Sequence, residues 1–263
     1  MAGIVIIGAT GLIGSHLAAH LSANGHRIIG VARHVSEGKR RQPDIDWVGL
    51  DLGAASPDDW SRVLVGADAV VNCAGALQDS RSDNLAATHD IGLRVLVSAC
   101  EAAGIRRFVH FSAMGVDQGA LTPFSDTKRA GEAALVASRL DWIVLRPSVV
   151  LGAAVYGASA LIRGLAALPL LPVMPETGLL RPVALEDVIE TVQAALAGDI
   201  SPKVALDLAG PDCFTFTDLI ALYRRWLGFT PARTFAVPGW LGHLTYRLGD
   251  LVARLGWRSP VRS

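Results

Sequence analysis

Residues Gly8-Ala9-Thr10-Gly11-Leu12-Ile13-Gly14 constrain the fold more than any other stretch of the chain. They follow Gly3–Gly8, a short β-branched apolar run with the character of a buried parallel strand. They open Leu12–Ala23, where Leu17 and Leu21 recur at helical spacing and Asn24-Gly25 supplies a stop. In a G-x-x-G-x-x-G turn from strand to helix, one glycine permits the tight turn and another lets the backbone approach a pyrophosphate. The third lets helix and strand pack closely. The pyrophosphate would meet free N–H groups at the positive end of the helix dipole. The chain therefore opens on a dinucleotide-binding βα unit, with Gly8, Thr10, Gly11, Leu12, Ile13 and Gly14 as its cradle.

The next residues repeat that rhythm. Further strands are predicted at Arg27–Ala32, Trp47–Leu50, Ala69–Asn72, Arg107–Ser112 and Trp142–Arg146. A helix starts at Ser56-Pro57-Asp58-Asp59, with a capping serine, a proline in the first turn and acids at the positive end of the dipole. Others are expected over Asn84–Ala103 and Ser125–Ser138. Six strands alternating with helices predict an α/β fold, a doubly wound parallel Rossmann sheet with right-handed crossovers. The composition, 51% apolar and 18% charged, suits a sheet buried on both faces. After Pro147 glycine and proline become frequent, and helices are expected over Glu186–Ala197 and Thr217–Leu227. Only Ala205–Leu208 reads as a strand, and Leu161 to Met174 as a short helix followed by a loop. This predicts a nucleotide-binding domain over 1–150, a small, mostly helical substrate-side lobe over 151–235, and a separate tail over 236–263.

Several functions are disfavoured. The formal net charge is zero, so no global field favours nucleic acid. Cys73, Cys100 and Cys213 have no metal-like or CxxC spacing, so no metal is expected and the thiols read as reduced. Met1-Ala2-Gly3 runs into a strand without a basic leader, and no apolar run reaches the roughly 18 residues of a membrane span. A cytoplasmic protein with a small-molecule substrate is the expectation.

The second strand ends Val31-Ala32-Arg33-His34, without the acid that bonds the ribose hydroxyls in an NAD site. Arg33 offers a planar fork suited to a 2′-phosphate, and Arg40 and Arg41 add charge nearby. The cofactor preference is therefore NADP(H) over NAD(H).

The loop spacing resembles the short-chain dehydrogenase/reductase superfamily, in its extended and atypical branches. Other segments agree. Asn72-Cys73-Ala74-Gly75 resembles the N-x-A-G turn after the fourth strand. Asp51-Leu52 is similar to the pair that holds the adenine, and Ser112 stands where the superfamily carries its catalytic serine. Leu145-Arg146-Pro147-Ser148 resembles the turn beside the nicotinamide, and Arg181 to Val188 the P-V-x-V-x-D-V segment of extended members. The resemblance spans roughly residues 3 to 227. It implies cofactor contacts from Asp51, Leu52, Asn72, Ala74, Gly75, Lys128, Pro147 and Ser148.

One part of the pattern is broken. The superfamily uses Y-x-x-x-K, in which the tyrosine is the general acid/base and the lysine binds the nicotinamide ribose. Here the segment reads Phe124-Ser125-Asp126-Thr127-Lys128. Phe124 has no proton to give. Either Lys128 or a water moves the proton, or Ser125 or Asp126 substitutes, or the nucleotide is bound without turnover. Within the superfamily the chain is most similar to the atypical group containing the NADPH-binding accessory subunit of respiratory complex I. His110 to Asp117, Leu161 to Pro172 and Arg181 to Val188 carry that similarity. The resemblance implies an oxidoreductase-like protein; its substrate is expected to enter between Phe124, Tyr156 and Leu161–Met174, a lining that suits an apolar carbonyl or quinone-like molecule. The alternative is a non-catalytic NADPH-binding module of a membrane complex. A nucleotide-sugar epimerase would also need the tyrosine and ranks below both.

In the tail, Pro238 to Arg262, Leu241, Leu244, Leu248, Leu251 and Leu255 recur at three- and four-residue spacing. Arg247, Arg254, Arg258 and Arg262 face one acid, Asp250. Such a helix either packs on the body or lies on an anionic membrane surface, at its inner face. The resemblance to bacterial proteins that continue into a membrane domain implies a natural chain that runs on past Ser263. Helices Asn84–Ala103 and Ser125–Ser138 could form a dimer face, so monomer and homodimer are both open.

Overall fold

The computed structural model describes residues 1–80, 83–118, 122–152, 157–173 and 178–236. In chain order the elements begin β1 (Gly3–Ile7), α1 (Leu12–Ala23), β2 (Arg27–Ala32), α2 (Ser36–Arg41), β3 (Asp46–Gly49), α3 (Pro57–Val63) and β4 (Ala69–Asn72). A π-helical turn (Ala87–Ile91) leads into α4 (Gly92–Ala102), followed by β5 (Arg107–Phe111), α5 (Pro123–Val136) and β6 (Asp141–Pro147). Then come β7 (Val150–Leu151), α6 (Gly157–Ala167), β8 (Leu170–Val173), β9 (Val183–Ala184) and α7 (Leu185–Ala197). The chain continues through β10 (Val204–Leu208), α8 (Phe216–Trp226) and β11 (Arg233–Ala236). Tyr156, Met174 and the tail from Pro238 onward lie outside the described residues.

The chain divides into two compact units. The first is Met1–Pro147 with Leu185–Leu208, and the second is Ser148–Ala184 with Ala209–Ser263. In the first, seven parallel strands run in the order β10-β6-β5-β4-β1-β2-β3. The six predicted strands are all present, and the order reverses between β1 and β4. That reversal opens a crevice beyond their carboxyl ends, where doubly wound sheets take ligands. The alternating pleat sends Val5 and Ile7 to one face with Trp60, Leu93, Leu96, Phe108 and Leu135. Ile4 and Ile6 face the other way, and Leu17, Leu21, Val188 and Val192 are buried on α1 and α7, which pack together.

Local chemistry accounts for the elements. Ser56 caps α3 in a reciprocal box, its hydroxyl accepting the Asp59 N–H while the Asp59 carboxylate accepts the Ser56 N–H. Helix α2, absent from the sequence reading, has no apolar face and is held by Arg40 and Arg41 paired with Glu37. The strand expected at Ala205–Leu208 is longer and joins the main sheet beside β6. As an edge strand it is only half-buried, and its pattern resembles that of a surface strand.

In the second unit, Ile162, Ala166, Leu171, Leu219, Ile220 and Tyr223 form a core between α6, β8 and α8. Arg224 is buried there and donates to the carbonyls of Ala166, Leu168 and Thr230. The loop expected after Leu168 is a short strand, β8, paired in parallel with β11.

Two helices meet the first unit's core through glycines. A Cβ on Gly131 of α5 would lie 2.0 Å from the His89 carbonyl oxygen, and one on Gly92 of α4 would lie 2.2 Å from the Leu52 carbonyl oxygen. Gly to Ala inside a helix ordinarily adds about 1 kcal/mol of helix stability. Gly131→Ala is expected to do the reverse, lowering stability by about 1–3 kcal/mol because rigid backbone must give way. Urea denaturation of the two proteins checks the sign.

Candidate functional site

The crevice at the β1/β4 switch is built first by backbone. Gly8 leaves β1 with φ +76, and its amide donates to the Val31 carbonyl (2.9 Å). A Cβ there would sit 2.8 Å from the Ala74 nitrogen, and one on Gly14 only 2.3 Å from the Gly8 carbonyl oxygen. These contacts account for the first and third glycines of the loop. At the start of α1, Gly11 is an extended N-cap without a side-chain hydrogen bond, and the first turn holds no acid. The uncapped N–H groups and the dipole there suit an anion. The donor set thus fits the pyrophosphate of a dinucleotide.

Gly8, Thr10, Gly11, Arg33, Asp51, Leu52, Ala74 and Gly75 line this crevice together. Leu12, Ile13 and Gly14 form the first turn of α1 behind it. Asn72 does not line the wall. It is 1% exposed, and its carbonyl oxygen accepts the Ala74 N–H (3.0 Å), so it shapes the turn from within. Its amide also lies 3.3 Å from His110 Nδ1. Asp51 is exposed and accepts the Gly53 N–H, while Leu52 is buried. Pro147 ends β6, its carbonyl accepting the Met114 N–H, and Ser148 begins the second unit.

Arg33 lines the crevice but shares it with an acid the sequence reading did not single out. Asp83, after β4, accepts from Arg33 Nη2 at 2.8 Å, with the carboxylate 11% exposed. The local field is therefore less positive than the arginine alone implies. Arg40 and Arg41 pair with Glu37 on α2 and are not among the wall residues. No pattern in one sequence marks Asp83, because it lies fifty positions from its partner.

Beyond Gly75 stand the residues of the broken motif. Lys128 is 5% exposed, and its Nζ donates to the Phe111 carbonyl at 2.8 Å. A Cβ on Gly75 would lie 3.3 Å from that nitrogen, a tight contact that places the amine directly beside the crevice wall. Burial pushes the Lys128 amine down to about 8, with the charge of Glu132 acting the other way. Ser112 follows β5 and is buried, its hydroxyl without a protein partner among the described residues. Phe124 packs edge-on against His89 with ring centres 5.5 Å apart. Glu132 is anchored by Arg146, which donates to it at 3.1 and 2.6 Å and to Asp117 at 2.5 Å.

Two buried histidines were not read from the sequence. His89 and His110 are each 2% exposed, and burial, followed by the charge of Lys128, pushes both below the ordinary imidazole range, His89 to about 3. Histidine inside an apolar segment such as Val109-His110-Phe111 is the signal that could have found one of them. Among the described residues no group of three His, Cys, Asp or Glu is placed to hold a metal ion, and no helix is long and apolar enough to cross a membrane.

The lowered Lys128 value has a measurable consequence. Between about 8 and the ordinary 10.5, the unfolded chain keeps a proton that the native amine has released. Stability of the ligand-free protein should therefore rise with pH across that window, by up to about 3 kcal/mol. Lys128→Met should lack that rise, and urea midpoints of both proteins through the window measure the difference.

Known proteins are similar to this chain. A ceramide reductase from Caulobacter vibrioides is 27% identical over 229 residues, covering 87% of this chain and 71% of that protein. The mitochondrial NADH dehydrogenase [ubiquinone] 1 alpha subcomplex subunit 9 of Arabidopsis thaliana is also 27% identical, over 90% of this chain and 64% of its own length. The chain thus spans a little under two thirds of that subunit, and the similarity agrees with the resemblance read from the motifs. Among solved structures, UDP-glucuronic acid 4-epimerase from Bacillus cereus with NAD matches with a TM-score of 0.75 at 19% identity, over 89% of this chain and 86% of that one. MoeE5 with UDP-glucose and NAD matches with a TM-score of 0.75 at 20% identity, over 97% and 87%. At that identity the two structures bear on the fold alone. The family model described as NAD(P)H-binding matches residues 8–158, from the glycine loop through β6 and beyond. The chain belongs to the NAD(P)H-binding family and shares the fold of these NAD-bound structures.

Proposed function

We propose that this protein is an NADP(H)-dependent oxidoreductase of the atypical short-chain class, acting on an apolar carbonyl or quinone-like small molecule. The observation that carries the reading is Lys128, a buried amine beside Gly75 whose Nζ donates to the Phe111 carbonyl and whose burial pushes it down to about 8. In this reading the pyrophosphate lies across Gly8, Thr10, Gly11, Leu12, Ile13 and Gly14. Asp51 and Leu52 hold the adenine, and Arg33 takes the 2′-phosphate in exchange for part of its pairing with Asp83. Ala74 and Gly75 follow the backbone of the nucleotide, Asn72 supports them, and Pro147 and Ser148 flank the nicotinamide.

The bound cofactor supplies the hydride chemistry. Lys128 holds the ribose and, directly or through a water, moves the proton that Phe124 lacks; an amine near pH 8 can do so at physiological pH. Ser112 orients the substrate oxygen with a hydroxyl that has no protein partner among the described residues. An apolar substrate fits the Caulobacter relative, a ceramide reductase. In this reading residues 151–235 contribute the substrate side, and residues 236–263 form a basic amphipathic helix against the inner face of a membrane.

A second reading has its own support. Phe124 removes the usual acid, and one relative is named as a subunit of NADH dehydrogenase and another, from Synechocystis, as a photosystem II assembly factor. The protein would then bind NADPH as a module of a membrane complex without turning it over.

Fluorescence titration with NADPH and NADH tests both. NADPH should bind more tightly, and Arg33→Ala should weaken NADPH about tenfold or more while leaving NADH nearly unchanged, the loss of a charge-assisted contact. Equal binding of the two nucleotides by the wild type would remove the NADP assignment. Cofactor oxidation against long-chain ketones, aldehydes and quinones, with Phe124→Tyr alongside, separates the readings. Turnover by the wild type supports the enzyme, and turnover by neither protein supports the module.

A further inference from the structure

His89 lies on the π-helical turn that leads into α4, and both of its ring nitrogens are engaged. Nε2 is 3.0 Å from the Ala76 nitrogen, which has a proton to donate, so Nε2 accepts. Nδ1 is 3.0 Å from Thr127 Oγ1. The Thr127 hydroxyl proton is directed to the carbonyls of Pro123 (2.8 Å) and Phe124 (3.1 Å), which leaves its oxygen to accept. Nδ1 therefore carries the proton, and this inventory allows one neutral tautomer. The ring is also clamped by Phe124, edge to face, and its backbone carbonyl by Gly131 of α5.

These contacts join two pieces of chain that are far apart in sequence. One is Gly75-Ala76, part of the crevice wall. The other is the first two turns of α5, which carry Phe124, Thr127 and Lys128. We propose that His89 is a positioning residue: it ties Ala76 to Thr127 and so holds the Lys128 amine beside Gly75, where it would meet the ribose of a bound nucleotide. The inference rests on the reading of the crevice as the nucleotide site. It also gives a role to phenylalanine at position 124, whose ring braces the imidazole. His89 is not a proton donor here, since an imidazole with Nε2 already accepting an N–H cannot be protonated without breaking that bond. The titratable groups around the amine are Glu132 on its own helix, Cys73 after β4, His110 on β5 and His89 itself.

The test is NADPH titration of the full chain at a series of pH values spanning the Lys128 titration, with thermal melting in parallel. His89→Phe keeps the ring and removes both hydrogen bonds, His89→Gln restores an acceptor and a donor, and Thr127→Val removes one bond from outside the crevice. His89→Phe should weaken NADPH about tenfold or more, the scale of a lost hydrogen bond to a charged group once Lys128 is misplaced, and should move the pH midpoint of binding. His89→Gln should recover most of both, and Thr127→Val should show a smaller change of the same kind. Variants that melt earlier yet bind NADPH like the wild type, with the same pH midpoint, overturn the proposal and leave His89 a purely structural residue. If His89→Phe does not fold, the binding and midpoint of Thr127→Val decide alone. A wild type that binds no NADPH overturns the nucleotide reading and this one with it, whereas unaltered variants of a binding wild type overturn this one only.

Discussion

The first unit depends on how closely its backbone segments approach one another. The Gly14 position lies against the Gly8 carbonyl, Gly92 against Leu52 and Gly131 against His89, each at a distance that excludes even a methyl group. Protein interiors do not deform continuously to accept added volume. These three contacts therefore fix α1 at the carboxyl end of β1, α4 against the loop after β3, and α5 against the turn that leads into α4. The crevice, the uncapped start of α1 and the place of Lys128 all follow from that spacing. Hydrophobic packing of Trp60, Leu96 and Phe108 holds the layers together, and the glycine contacts set how closely the helices approach.

Burying an amine opposes folding, so the surroundings of Lys128 are informative. A charged ammonium in a dry interior is costly unless paired. Lys128 has one carbonyl at hydrogen-bond distance and Glu132 as a nearby charge, but Glu132 is already held by Arg146 at two points. The amine is thus only partly compensated, and its proton is loosely held. Structural lysines are rarely placed this way, and perturbed groups gather at functional sites. The neighbouring imidazoles add no charge, being held neutral by the same burial.

The sequence made the sheet legible because its signals are local. Glycine spacing at Gly8 to Gly14, β-branched runs such as Gly3–Ile7 and the Ser56 cap each depend on residues a few positions apart. All six predicted strands lie in the sheet, in the reversing order. What was hidden depends on distant partners. Asp83 faces Arg33 only because β4 lies two strands from β2, and His89 meets Ala76 and Thr127 only once α4 and α5 have docked. The short helix α2 was missed because an all-polar segment has no periodicity to read, and β8 because a proline-bounded apolar run gives no period either. β10 was read as a strand, but its place in the sheet is a matter of topology, which a half-buried five-residue pattern does not encode.

That last strand has a consequence for how the protein can be divided. The chain leaves the first unit after Pro147, returns at Leu185 and leaves again after Leu208. A fragment ending near residue 150 contains every segment of the glycine loop and the Lys128 region, yet it lacks β10. Its last strand, β6, would present a bare row of amide and carbonyl groups along Ile143–Pro147, where β10 otherwise pairs. Such an open edge is a template for strands of other molecules. It would also lack α7, whose Val188 and Val192 are buried in the intact chain. The smallest self-contained nucleotide-binding piece therefore extends to Leu208 and carries the intervening segment as an insertion. Recombination with a relative would have to respect that interleaving rather than a single cut.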